Sequence, residues 1–198
     1  MFKTEIIAID KNKPERDRIK RAAEIIKKGG LVAFPTETVY GLGGNALDEN
    51  AAKKIYSAKG RPQDNPLIVH IYSLYQLDKI VKEIPTRARV LMDKFWPGPL
   101  TIIFHKRDII PFGTTGGLDT VAIRMPAHPV ALELIKEAKV PIAAPSANIS
   151  GRPSPVCAKD VAEDLSGRIE MILDGGAASV GVESTVLDLS EKVPMILR

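Results

Sequence analysis

Cysteine and aromatic residues are scarce in this chain of 198 residues: Cys157 is the one cysteine, and Phe, Tyr and Trp together make up 5%. A single thiol excludes an internal disulfide framework and a zinc site built on several thiolates. Few rings leave little material for the stacking platforms that bind single-stranded nucleic acids. We therefore expect Cys157 to be a small structural residue near the start of a helix rather than a nucleophile.

Long apolar runs are missing as well. The longest, such as residues 31–35 and 100–104, fall far short of the roughly 18 residues that a membrane-spanning helix needs. The first residues lack the pattern of a secretory signal, in which a basic segment is followed by an apolar block and a small-residue cleavage site. We expect a cytoplasmic protein without a membrane partner.

Motifs for metal binding and covalent catalysis are also absent. His70, His105 and His128 do not have the spacing of metal ligands. There is no Gly-x-Ser-x-Gly elbow, His-Glu-x-x-His helix or paired-cysteine motif. We expect no protein-held metal, and any metal should arrive with the substrate. Positioning and electrostatics remain, and these suit a reaction at a polyphosphate.

The chain does have enough apolar material for a core, at 44% of its residues, and a net charge of +4. One domain over residues 1–198 is expected, because domains commonly hold about 100–200 residues. The charge permits an anionic partner, and a small anion such as a nucleotide fits at least as well as a polymer.

Apolar periodicity separates helices from strands. Helices are predicted at residues 17–28, 49–59, 86–95, 158–165 and in the segment opened by Pro129. Strands are predicted at residues 4–9, 31–34, 67–71, 100–104, 121–125, 141–144, 171–173, 184–189 and 195–197. No helix separates residues 100–104 from 121–125, so some pairing is expected to be antiparallel. The pattern predicts a three-layer α/β domain with helices flanking a mixed sheet.

Two segments that follow predicted elements carry candidate site residues. Residues 35–44 come directly after a strand, where open α/β sheets place ligands, and are predicted to form a loop. Lys59 and Arg61 flank a glycine at a helix end. The two cations either favour the helix dipole or form a phosphate clamp. His70, in the next strand, is either a structural histidine or faces a pocket.

A lone arginine stands in an apolar strand further along the chain. Alternation places Arg124 on the opposite strand face from Val121 and Ile123. Such an arginine needs an anion, either a structural Asp or Glu or the carboxylate of a ligand. Ser146 and Asn148 can present a hydroxyl and an amide from one turn, or serve only ordinary turn chemistry.

Seven segments carry a resemblance to a known family, and together they run over essentially the whole chain. They are residues 35–42 (PTETVYGL), 59–62 (KGRP), 65–67 (NPL), 96–101 (WPGPLT), 124–126 (RMP), 144–148 (APSAN) and 183–185 (EST). The sequence resembles the YrdC family, and closely the N-terminal domain of its archaeal-type threonylcarbamoyl-AMP synthases. The chain ends at Arg198, so we expect either such a domain or a short member of the family.

The resemblance implies a YrdC-like fold and an enzyme that makes threonylcarbamoyl-adenylate and pyrophosphate. Its substrates would be L-threonine, bicarbonate or CO2, and ATP with Mg2+ carried on the phosphates. A partner complex would then transfer the threonylcarbamoyl group to tRNA. The alternative is a double-stranded RNA-binding module without catalytic activity, which the basic balance permits. For the enzyme, direct binding of nucleic acid is possible but expected to be weak.

The resemblance also assigns roles to individual residues of this chain. Residues implied to bind ATP are Lys59, Arg61, Asn65, Ser146, Asn148, Ser154 and Arg198, with Lys59 and Arg61 as the phosphate clamp. Residues implied to bind threonine are Thr36, His70, Arg124, Ala144 and Ser184, with Arg124 on the carboxylate. No residue is implied to be modified covalently.

Overall fold

The computed structural model describes residues 3–198, and ten strands in this range form one sheet. The helices are α1 (Arg16–Lys27), α2 (Glu49–Lys59), α3 (Leu74–Ile80), α4 (Thr86–Phe95), α5 (Phe112–Thr115), α6 (Pro129–Ala138) and α7 (Ala158–Leu165). The strands are β1 (Glu5–Ala8), β2 (Val32–Phe34), β3 (Gly41–Asn45), β4 (Ile68–His70), β5 (Leu100–His105), β6 (Thr120–Arg124), β7 (Ile142–Ala143), β8 (Met171–Asp174), β9 (Thr185–Asp188) and β10 (Met195–Ile196).

The sheet mixes parallel and antiparallel pairs in the order β1-β8-β2-β3-β7-β4-β6-β5-β9-β10. Strand β8 runs parallel to β1 and β2, and β4 runs parallel to β6. Strands β5 and β6 pair antiparallel, as predicted. The predicted mixed sheet is therefore confirmed. The expectation that no helix separates β5 from β6 is wrong, because the short helix α5 lies in their connection.

Helices cover both faces of the sheet because its inner strands bury side chains on alternate sides. On one face α1 and α6 pack over Val32, Phe34 and Leu173. On the other face α2, α3, α4 and α7 pack over a second cluster that includes Ala33 and Ile172. Successive residues of β2 thus belong to different cores, which accounts for its continuous apolar sequence.

The prediction of a loop over residues 35–44 is wrong at its carboxyl end, where Gly41–Asn45 forms β3. This strand pairs antiparallel with β2 and β7. A Cβ atom on Gly43 would lie 2.7 Å from Phe34 Cε1 and 2.8 Å from Ile142 Cγ2, so the packing leaves room only for hydrogen. A strand rich in glycine has no apolar alternation and was therefore not predicted.

Two short helices also escape prediction. Helix α3 spans Leu74–Ile80 and is capped by Ser73, whose hydroxyl accepts a hydrogen bond from the Gln76 backbone amide. Its buried side chains are Gln76, Leu77 and Ile80. Helix α5 spans only Phe112–Thr115. Both are too short to show a full apolar stripe. Within residues 3–198 no helix is both long and apolar enough to cross a membrane.

Candidate active site

A pocket of about 240 Å³ opens beside β3, β4, β6 and β7. Its wall is built from the loop after β2, the segment after α2 and the turn after β7. The residues just before β9 and just after β10 complete it. Nine of the twelve site residues predicted from the sequence line it: Thr36, Arg61, Asn65, His70, Arg124, Ala144, Ser146, Ser184 and Arg198. The remaining three, Lys59, Asn148 and Ser154, lie outside the lining.

Arg124 lies in the pocket wall, and its side chain is 4% exposed. Strand β6 places it beside His70 of β4, its register partner. Its Nε donates to the Gly98 carbonyl at 3.2 Å, and its Nη1 donates to the Thr38 hydroxyl at 2.8 Å. These bonds hold the guanidinium in one orientation, so the pocket wall has a fixed cation.

The buried charge of Arg124 is compensated by Glu37. Arg124 Nη2 lies 2.6 Å from Glu37 Oε1. The geometry is that of an ion pair rather than a hydrogen bond, since neither atom has a hydrogen-bond partner. Burial lowers the pKa of Arg124, and the charge of Glu37 opposes this shift. The expectation that Arg124 needs an anion is met within the chain by a structural acid.

His70 is both buried and part of the pocket wall, at 3% exposure. Its ring meets the Phe34 ring edge to face, with centroids 6.3 Å apart. Burial, and next the charge of Arg124, lower the pKa of His70 to about 3. The imidazole is therefore neutral near pH 7, and its buried Nδ1 has no hydrogen-bond partner.

Arg61 and Asn65 form another part of the pocket wall. Gly60 ends α2 with φ of 60°, a left-handed conformation that turns the chain toward the pocket. Arg61 Nη2 then donates to Asn65 Oδ1 at 2.5 Å and to the Pro66 carbonyl at 3.1 Å. These bonds fix the planar guanidinium of Arg61 in the pocket wall.

A second arginine reaches the pocket from the end of the chain. Arg198 Nη1 donates to Glu183 Oε2 at 2.5 Å, and its Nε donates to the Ser184 carbonyl at 3.1 Å. The other oxygen of Glu183 accepts from the Ser154 hydroxyl at 2.7 Å. Ser154 therefore supports the wall through Glu183 and does not line the pocket itself.

Lys59 lies beneath the turn that carries Ser146, at 1% exposure. Its Nζ donates to the carbonyls of Ser146 at 2.5 Å and Asn148 at 2.6 Å. The Asn148 amide group donates to Ile149 and Arg152 carbonyls, so it too is engaged within the loop. Burial, and next the charge of Arg61, lower the pKa of Lys59 to about 8.

Small polar side chains of the pocket wall make hydrogen bonds to neighbouring residues. The Ser184 hydroxyl lies 2.8 Å from the Thr101 hydroxyl, and the Thr36 hydroxyl donates to the Val39 carbonyl at 2.6 Å. Ala144 adds a small apolar surface beside them. The pocket wall thus offers three arginines, Arg61, Arg124 and Arg198, together with hydroxyl groups and small apolar side chains.

Two carboxylates of the site were not predicted from the sequence, Glu37 and Glu183. Each lies within a motif that was noticed, but neither was assigned a role. The signal for Glu37 was the apolar strand around Arg124, since a buried guanidinium needs a counter-charge. The signal for Glu183 was weaker, because the position of Arg198 depends on the pairing of β9 with β10.

No group of three or more metal-ligating side chains occurs in the described part of the chain. The two site carboxylates are each engaged by an arginine, Glu37 by Arg124 and Glu183 by Arg198.

The chain matches a family model for Sua5, YciO and YrdC proteins, described as "Telomere recombination", over residues 24–198. The threonylcarbamoyl-AMP synthase of Pyrococcus abyssi is 61% identical over 184 residues, covering 93% of this chain and 54% of that protein. The Bacillus subtilis threonylcarbamoyl-AMP synthase is 56% identical and covers 91% of this chain and 53% of its own length. The chain spans about half the length of these relatives.

Solved structures agree with the sequence comparisons. The crystal structure of P. abyssi Sua5 complexed with L-threonine superposes with a TM-score of 0.96 at 59% identity, covering 98% of this chain and 57% of that one. Escherichia coli YciO gives a TM-score of 0.87 at 25% identity, covering 100% of this chain and 95% of its own. From the matching fold and this level of identity, the chain belongs to the Sua5/YciO/YrdC family.

Proposed function

We propose that this chain is the catalytic domain of an L-threonylcarbamoyladenylate synthase. The observation that carries the proposal is one pocket whose wall holds a buried arginine, Arg124, together with Arg61 and Arg198. An amino acid and a nucleotide each need such a cation, and the pocket wall offers more than one. The names of the relatives and the threonine in the P. abyssi structure support this choice.

In the proposed binding mode, the threonine carboxylate lies against Arg124, whose side chain forms part of the pocket wall. Nη1 has a second N–H beyond the one it gives to Thr38. Neutral His70, Thr36, Ala144 and Ser184 surround the rest of the amino acid. An apolar wall with hydroxyl groups suits the threonine side chain, which carries one methyl and one hydroxyl group.

The nucleotide is proposed to lie along another part of the wall. Arg61 and Arg198 face its phosphates, with Asn65 and Ser146 beside them. Lys59 and Asn148 contribute to this wall by holding the turn that carries Ser146. The phosphate clamp we propose thus combines direct contacts from Arg61 with support from Lys59. Mg2+ enters as part of the MgATP substrate.

The proposed chemistry needs no covalent protein intermediate. Bicarbonate takes up a proton and loses water to give CO2. The threonine ammonium loses one proton, the amine nitrogen then bonds to the carbon of CO2, and loss of a second proton from the nitrogen to water gives the carbamate anion. A carbamate oxygen then bonds to the α-phosphorus of ATP, and the bond to the pyrophosphate oxygen breaks. The products are threonylcarbamoyl-adenylate and pyrophosphate. The protein contributes by aligning the reactants and by stabilising phosphate charge with fixed arginines.

The product is an activated acyl group, and we propose that a partner complex transfers it to tRNA. We further propose that residues 1–198 act as one catalytic domain, because all described strands share one sheet. The RNA-binding hypothesis explains neither the buried arginine nor the pocket around it.

Calorimetric titration of this chain with amino acids and a non-hydrolysable ATP analogue tests the proposed pocket. L-Threonine is expected to bind more tightly than L-valine, which replaces the hydroxyl with a methyl group of similar size. The ATP analogue is expected to bind in its presence. Equal affinities for threonine and valine would contradict the assignment.

A further inference from the structure

A buried ion pair stands beside the pocket without the hydrogen bonds that buried polar groups normally make. Over residues 3–198, the buried side-chain nitrogen or oxygen atoms without a hydrogen-bond partner are both carboxylate oxygens of Glu37, Nη2 of Arg124 and Nδ1 of His70. Two of these atoms, Glu37 Oε1 and Arg124 Nη2, lie 2.6 Å apart, so the charges of Glu37 and Arg124 compensate each other. Only two of the three residues, His70 and Arg124, line the pocket.

Glu37 lies behind the pocket wall and is held there by its backbone. Its carbonyl accepts from the Val180 amide at 2.9 Å and from the Ser179 hydroxyl at 3.3 Å. The next carbonyl, of Thr38, accepts from the Gly181 amide at 3.0 Å. With this anchoring, the carboxylate is fixed against Arg124 and is 13% exposed.

The position of Glu37 bears on which anions the pocket selects. A buried arginine without a counter-charge attracts any anion, because its field is weakly screened. The reaction proposed above brings three anionic groups to one site: an amino-acid carboxylate, bicarbonate and a triphosphate. Of the molecules that carry them, only the amino acid also has an ammonium group, which the field of a nearby carboxylate favours.

We propose that Glu37 is a specificity-determining residue, which offsets the charge of Arg124 so that the pocket takes an amino acid in preference to a plain anion. Glu37 acts through the field at Arg124 and does not touch the ligand. The ligand class is an α-amino acid zwitterion, and the anions that Glu37 discriminates against are small carboxylates and bicarbonate. This inference rests on the proposed function, in that Arg124 binds the amino-acid carboxylate.

The test is a calorimetric titration of L-threonine in the presence of sodium acetate, with ionic strength held constant by sodium chloride. Acetate is a carboxylate without an ammonium group and isolates the effect of charge. In Glu37→Gln, acetate is expected to compete at about tenfold lower concentration than in the wild type. Threonine affinity without acetate should change less than threefold, because the gain at its carboxylate is offset by the loss at its ammonium. If the acetate concentration needed to compete with threonine in Glu37→Gln lies within twofold of the wild-type value, the proposal is overturned.

Two further variants make the result specific. Glu170→Gln removes another partly buried carboxylate, which accepts from the Leu31 amide at 2.8 Å outside this pocket. It should match the wild type in acetate competition. Glu37→Asp keeps the charge but moves it away from Arg124. In this variant acetate should compete with threonine at about threefold lower concentration than in the wild type. If Glu37→Gln does not fold, an unchanged value in Glu37→Asp would overturn the proposal.

Failure of the proposed function has a separate signature. A wild-type chain that binds no threonine would contradict the proposed function. Acetate can still be titrated directly into the wild type and Glu37→Gln, with the shift of unfolding temperature as the readout. A larger shift in Glu37→Gln supports the role of Glu37, and equal shifts overturn it.

Discussion

At the scale of single residues, the account depends most on Arg124. Arg124→Ala is expected to abolish threonine-dependent turnover while nucleotide affinity changes less than threefold, because the arginine lies at the proposed threonine site. A hydrogen bond to a charged group contributes about 1.5–3 kcal/mol. Threonine affinity should thus fall about tenfold to a hundredfold or more, measured by calorimetry with each ligand separately.

The control for this variant is Arg124→Lys, which keeps the charge but cannot make the paired contacts to Gly98 and Thr38. The threonine affinity of Arg124→Lys should lie between those of the wild type and Arg124→Ala. Threonine dependence that is unchanged in Arg124→Ala would show that the carboxylate binds elsewhere.

His70 gives a prediction about stability and pH. Its pKa is lowered to about 3 in the folded protein from 6.5, so the unfolded chain binds the proton more readily. As far as His70 is concerned, the free energy of unfolding should therefore be highest above pH 6.5 and should fall as the pH decreases toward 3. Denaturant unfolding across this range should show a weaker pH dependence in His70→Asn. Identical pH dependences in the two proteins would rule out His70 as the cause.

Residue-scale reasoning from the sequence found the cations of the site but only part of their surroundings. Arg124 stands out because a charge in an apolar strand must be compensated. That Glu37 compensates it depends on the path of the loop before β3, which no local pattern describes. The hydrogen bonds of Lys59 to backbone carbonyls could not be predicted either. Lys59 is 87 positions from Ser146 and 89 positions from Asn148 in the sequence.

At the scale of elements, the end of α2 and the turn after β7 act together. Lys59→Met removes the ammonium that joins them and retains a side chain of similar length. Nucleotide affinity should fall about tenfold, because the turn that carries Ser146 loses its support, while threonine affinity changes less. Titration with a non-hydrolysable ATP analogue measures the effect.

The same helix provides a matched control. Lys54 also donates from α2 to a backbone carbonyl, that of Gly29, at 2.6 Å, and it does not line the pocket. Lys54→Met should bind nucleotide like the wild type. Wild-type nucleotide affinity and turnover in Lys59→Met would refute a role for Lys59 at the nucleotide wall.

Elements with a full apolar pattern were predictable, and those shaped by their neighbours were not. Helices α2, α4 and α7 follow the predicted bounds. The ends of α2 are encoded locally, because Asp48 accepts from the Asn50 amide at its start and Gly60 ends it. Strand β3 is not predictable in this way, since its glycines are explained by Phe34 and Ile142 packing against it. The glycine-rich sequence that looked like a loop is the strand that places Tyr40 and Gly41 in the pocket wall.

At the scale of the whole molecule, the site is assembled from segments far apart in the chain. Strands β4, β6 and β7 become neighbours only in the finished sheet, where His70 pairs with both Arg124 and Ile142. The sequence predicts the mixed sheet but not its strand order, because order is set by long-range pairing. The resemblance of seven motifs supplied the grouping that local patterns could not.

The measurement that tests the account most directly is pyrophosphate release from MgATP by this chain, with the nucleotide product weighed by mass spectrometry. Bicarbonate is supplied with L-threonine, L-serine or L-valine in parallel reactions. The account predicts release that requires both bicarbonate and threonine, and a product with the mass of threonylcarbamoyl-adenylate. Pyrophosphate release that is independent of threonine, or a chain that binds neither threonine nor ATP, would contradict it.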